Sequence, residues 1–95
     1  MVSKVAERKG SWKHSRRVAW RKVAGEAVIL DTETAAYYSL SGAGLLMWEL
    51  IGEGKTASEI ARLVAGEYDA DEDAIREDCV ELAGKLRKER LIESA

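Results

Sequence analysis

Hydrophobic and polar positions change their period near residue 41, from short β-prone runs to a helical repeat. Upstream, Val18-Ala19-Trp20-Arg21-Lys22-Val23 is β-prone and Ala24-Gly25 follows as a turn signal. Ala27-Val28-Ile29-Leu30 is a compact apolar run ended by Asp31, and Thr32-Glu33-Thr34 makes a polar connection. Ala36-Tyr37-Tyr38-Ser39-Leu40 then alternates, with Ala36, Tyr38 and Leu40 on one face and Tyr37 and Ser39 on the other. The simplest assembly is a three-stranded antiparallel meander. Residues 1–15 lack hydrophobic periodicity and are expected to be frayed.

From Ser41 onward the repeat is helical, and Ser41 is the expected N-cap. Ala43 to Ile51 is apolar nearly all round, with only Glu49 charged, so this helix should be the most buried. Gly52-Glu53-Gly54 stops it. Thr56-Ala57-Ser58-Glu59 reads as a capping box opening a second helix, whose stripe is Ile60, Leu63, Val64 and Tyr68. Asp69-Ala70-Asp71 breaks it, and Asp71 caps a third helix with Glu72 and Asp73 in its first turn. There Ile75, Cys79, Leu82, Ala83 and Leu86 repeat at helical spacing, Lys85, Arg87 and Lys88 sit near the end, and Leu91 and Ile92 return to the core. Three strands followed by three helices predict an α+β domain, a make-up that winged helix-turn-helix folds share.

Ninety-five residues allow one domain with a modest core. No apolar run approaches the roughly 20 residues that span a bilayer, and no apolar stretch of signal-peptide type follows the basic start. Cys79 is the only cysteine, which excludes an internal disulfide and leaves the cytoplasm as the default compartment. The net charge of −2 hides an asymmetry. Residues 1–25 carry eight Lys/Arg against one acid, whereas residues 26–95 carry seven against sixteen.

Catalytic chemistry finds little purchase. His14 is the sole histidine, with no second histidine or cysteine near it in sequence. Cys79 lies on an apolar stripe and reads as a small hydrophobe. The glycines fit no phosphate loop, and the Asp69–Asp73 carboxylates lack the spacing of a calcium loop. Neither a cofactor nor a metal is implied, and an enzyme is not expected. A winged-helix DNA-binding regulator is the rival reading. Against it, the would-be recognition helix opens with Asp71, Glu72, Asp73, Glu77, Asp78 and Glu81 beside only Arg76, and such charge repels phosphates.

The series Val28-Ile29-Leu30-Asp31, Tyr37-Tyr38-Ser39-Leu40-Ser41 and Met47-Trp48-Glu49-Leu50-Ile51 resembles the PqqD-like family. So do Gly54-Lys55-Thr56 with Glu59-Ile60, Glu67-Tyr68-Asp69, and Leu86 through Leu91-Ile92-Glu93. Where that family often has Leu-Asn-Glu-Thr-Ala, this chain has Leu40-Ser41-Gly42-Ala43-Gly44, with Ser in place of Asn as the cap. The resemblance covers residues 17–93 as a peptide-recognition domain and leaves residues 1–16 as a basic, flexible arm.

The resemblance implies a non-catalytic module that binds the leader of a ribosomally made precursor peptide and presents it to a modifying enzyme. The implied enzymes are a radical S-adenosylmethionine enzyme, as in pyrroloquinoline quinone assembly, or the leader peptidase and cyclase of a lasso-peptide pathway. The leader would add as a strand beside Ala36, Tyr37, Tyr38, Ser39 and Leu40. Ile75, Cys79, Leu82, Ala83 and Leu86 would supply the groove wall or the core beneath it, and Asp78 and Lys85 would set charge preference. A homodimer through the same edge is a further possibility the pattern leaves open.

Overall fold

The computed structural model describes residues 11–95 as strands β1 (Trp12–His14), β2 (Val18–Val23), β3 (Glu26–Asp31) and β4 (Tyr37–Ser41), then helices α1 (Gly42–Gly52), α2 (Ala57–Tyr68) and α3 (Glu72–Lys88), and a last strand β5 (Ile92–Ser94). The expected meander is present: β2, β3 and β4 form one antiparallel sheet in that order. Its register pairs Trp20 with Ile29 and Ile29 with Tyr38, so these side chains share the face turned toward the helices. Leu30 pairs with Ala19 and Tyr37 on the opposite face.

The core lies between that inner face and the three helices. Ala27 and Ile29 from β3 meet Met47, Trp48 and Ile51 of α1, then Ile60 and Val64 of α2 and Cys79 and Ala83 of α3. Burying a large aliphatic side chain such as Ile51 or Ile60 contributes about 1.5–3 kcal/mol. Lys22, on the inner parity of β2, reaches over the sheet rim to Glu49 of α1 at 2.9 Å. Leu91 and Ile92 are buried, as the sequence predicts.

Helix starts follow the expected chemistry in two of three cases. Thr56 and Glu59 form a reciprocal box, with Glu59 N–H donating to Thr56 Oγ1 at 3.1 Å and Thr56 N–H to Glu59 Oε1 at 2.8 Å. Asp71 accepts from Ala74 N–H at 2.9 Å. Ser41 is the exception: it occupies the N-cap position of α1, but its side chain makes no capping hydrogen bond. It still belongs to β4 and pairs with Glu26, and the chain turns into α1 at once through Gly42, whose φ of 55° a glycine adopts without strain.

Two expectations need correction. The segment expected to be frayed is ordered from Ser11: β1 pairs antiparallel with β5, setting His14 against Ile92. Three-residue strands carry no measurable alternation, and this pairing joins opposite ends of the described chain, so no local pattern announces it. Residues 1–10 of the basic arm lie outside the described residues. In α2 the buried stripe is Ile60, Ala61, Val64 and Ala65, while Leu63 and Tyr68 are exposed. Small alanines face the neighbouring elements there, which lets the helix sit close and rotates the larger residues outward.

Candidate functional site

β4 is the structural centre of the site because it pairs with β3 alone among the described residues. Its other side presents backbone N–H and C=O groups that have no strand partner there. Alternation then sorts the side chains. Tyr38 and Leu40 are half-buried and packed against the core, whereas Tyr37 and Ser39 are exposed on the outer face, Tyr37 to 70 %.

Opposite Tyr38 stands the end of α3. The Tyr38 hydroxyl donates to Glu89 Oε1 at 3.0 Å. That hydrogen bond to a carboxylate, with burial second, pushes the phenol above its ordinary range. Asp78, Leu82, Lys85 and Glu89 follow one another at steps of four, three and four residues, so they share a flank of the helix. Glu89, which touches Tyr38, caps the C-terminal end of that flank. Asp78 and Lys85 are exposed on it, and Leu82 is half-buried against the core. The Tyr38–Glu89 contact thus joins the free edge of β4 to the end of the α3 flank on which Leu82 stands between two opposite charges.

The other expected site residues lie deeper or are otherwise engaged. Ile75, Cys79, Ala83 and Leu86 are all buried, so they belong to the core. Burial pushes the Cys79 thiol up to about 11, which removes it from nucleophilic or metal chemistry near neutral pH. Ala36 falls just before β4. Its N–H donates to Thr34 Oγ1 at 3.2 Å and its carbonyl accepts from Asp31 N–H at 2.9 Å, so both backbone groups already close the β3–β4 turn. Glu89 was missed by the sequence reading, although it continues the 78–82–85 flank by one more step.

Asp31 anchors the same end of the sheet. It is 2 % exposed and accepts from Arg17 Nε at 3.1 Å, Glu33 N–H at 2.9 Å and Thr34 N–H at 3.3 Å. The Arg17 guanidinium, followed by the backbone donors, overcomes the cost of burial and holds its carboxyl down at about 2. The turn that launches β4 is thereby fixed by a charge-assisted network.

Among the described residues, no three His, Cys, Asp or Glu side chains converge as metal ligands. No described helix is long and apolar enough to cross a membrane. The first half of α3 exposes Glu72, Asp73, Glu77, Asp78 and Glu81, a surface that disfavours a nucleic-acid groove.

Comparison with known proteins gives this geometry a context. The profile of the family described as "Coenzyme PQQ synthesis protein D (PqqD)" matches residues 26–92. Among curated proteins no sequence matches the chain. A solved structure of TbiB1 in complex with the TbiA(beta) leader peptide is similar at 29 % identity and a TM-score of 0.81, covering 87 % of this chain and 96 % of that one. A lasso peptide synthetase B1 complexed with its leader peptide shares the fold at 16 % identity and a TM-score of 0.80, over 86 % and 96 % of the two chains. So does the PqqD truncation of Methylobacterium extorquens PqqCD, described as a functional and stand-alone recognition element for ribosomally synthesized and post-translationally modified peptides. It is 23 % identical, with a TM-score of 0.72 over 92 % and 98 %.

Proposed function

The chain belongs to the PqqD family, and from that premise we propose that it captures the leader of a ribosomally synthesised precursor peptide and presents it to a modifying enzyme. The leader adds as a strand to the free edge of β4, and its alternate side chains enter a channel that it completes between that edge and α3, against the half-buried Leu82, Tyr38 and Leu40. The observation that carries this reading is the unpaired β4 edge, tied to the end of α3 by the Tyr38–Glu89 hydrogen bond.

The module itself does no chemistry in this reading. Main-chain hydrogen bonds supply affinity independent of sequence, and the channel supplies selectivity. Asp78 and Lys85 bracket Leu82 and favour a leader whose apolar anchor is flanked by charges of complementary sign. The working partner is a cytoplasmic radical S-adenosylmethionine enzyme or a leader peptidase with its cyclase, and the same edge could instead join two copies of the chain.

The test is fluorescence anisotropy with a labelled leader peptide taken from the nearest small open reading frame, at low and high salt. Saturable binding that largely survives salt and disappears in Leu82→Arg is the expected result. Salt-sensitive binding to duplex DNA, with no leader bound, would overturn the proposal in favour of a regulator.

A further inference from the structure

Near the Tyr38–Glu89 contact lies a concavity of about 310 Å³, lined by Ser15, Arg17, Arg87, Arg90 and Glu93 among others. Three arginines line it, but they are not equivalent. Arg17 is already committed, with Nε on Asp31 at 3.1 Å and a terminal nitrogen on Glu33 at 3.4 Å. Arg87 and Arg90 have no carboxylate within ion-pairing distance among the described residues, although Glu93 lines the same pocket. Of the residues that line the pocket, Glu93 is the one carboxylate, so Arg87 and Arg90 outnumber it there.

Arg90 adds an independent observation. Its φ is 64°, the left-handed conformation that ends a helix and that glycine adopts most cheaply. A bulky side chain there carries a backbone cost, and the local fold needs only the backbone: Leu91 N–H closes on Leu86 O at 2.9 Å whatever the side chain. Packing does not account for the guanidinium either, since Arg90 is exposed. Ala24, Ala35 and Asp69 also take this conformation, so what sets Arg90 apart is its guanidinium beside the pocket rather than its backbone.

Two contacts link the pocket to the Tyr38 end of β4: Arg17, which lines it, bonds Asp31 at the end of β3, and Glu89, next in the chain to Arg90, bonds Tyr38. Arg17 also lies close enough to Tyr38 to influence its ionisation. A strand laid along β4 and running past Tyr38 therefore arrives at Arg87 and Arg90. We propose that this pocket binds one carboxylate side chain, an Asp or Glu of the captured peptide just outside its strand-forming stretch, through the paired guanidinium groups of Arg87 and Arg90. The inference rests on the leader-capture reading and adds a register mark to it. Strand addition alone allows slippage by two residues, because main-chain bonds repeat at that period, and a charge-assisted contact at one end fixes the alignment.

The experiment pairs Arg90→Gly and Arg87→Gln with leader peptides in which each Asp or Glu is replaced in turn by its amide. Arg90→Gly suits the left-handed backbone, so its melting temperature should equal or exceed that of the parent, and lost affinity then cannot reflect misfolding. One amide substitution should weaken binding to the parent about tenfold, and the same substitution should have little effect on the Arg87→Gln/Arg90→Gly protein. Unchanged affinity in the double variant, with binding still abolished by Leu82→Arg, would overturn the carboxylate pocket and leave leader capture standing. A parent protein that binds no leader at all would overturn both.

Discussion

The imidazole of His14 lies face to face with the indole of Trp48, ring centroids 3.7 Å apart and 14° from parallel. Its Nε2 is also 2.9 Å from the Trp48 carbonyl oxygen. A carbonyl only accepts, so Nε2 carries the proton and the ring is held by one edge and one face. Trp20 closes the cluster edge-on, 6.1 Å from His14 and 5.9 Å from Trp48. This ties β1 to α1 and thereby to the helix that follows the β4 edge.

Space for the ring comes from Gly52. A Cβ at that position would fall 2.6 Å from His14 Cε1, and the stack on Trp48 leaves the ring little room to yield. Gly52→Ala is therefore expected to destabilise the fold by about 1–3 kcal/mol despite the better helix propensity of alanine. Urea unfolding of Gly52→Ala, His14→Ala and the double variant measures it. The double variant should lose less than the two single losses combined, because the clash disappears with the ring.

The same burial makes His14 a source of pH dependence. Desolvation lowers its pKa from 6.5, partly opposed by the hydrogen bond to Trp48. As pH falls, the unfolded chain takes up the proton before the folded one. The contribution to stability is complete above 6.5 and is lost as pH drops through the lower folded value. The imidazole resonances should titrate with a midpoint below 6.5, and His14→Gln should flatten the fall in melting temperature on the acid side of neutrality.

Asp31 acts in a lower window. Its carboxyl is held at about 2 against an ordinary 3.8, so the folded state gains from ionisation fully above 3.8 and loses that gain as pH falls through about 2. Acid unfolding followed by tryptophan fluorescence should steepen across this interval. In Asp31→Asn that component should be missing, and the variant should be less stable at neutral pH because Arg17 keeps only the exposed Glu33 as an ionic partner.

Cys79 should be inert in the folded protein. It is fully buried and its thiol is pushed up to about 11. A disulfide-exchange reagent at neutral pH should label it only at the rate of unfolding, and labelling in urea should be rapid. Prompt labelling of the native protein would show that the core around α3 opens.

Much of the molecule was legible in sequence because its signals are local. The alternation over Tyr37 to Leu40 named both faces of β4, Thr56 and Glu59 announced α2, and the stripe from Ile75 to Leu86 marked the buried side of α3. Each depends on residues within a few positions of one another, where backbone period and capping chemistry decide the outcome. The tertiary structure alone decided the pairing of β1 with β5, the seating of His14 on Trp48, the rotation of α2 that exposes Leu63 and Tyr68, and the convergence of Arg17, Arg87 and Arg90. Those features join segments far apart in the chain, and their energies come from packing and charge across elements, which no local repeat records.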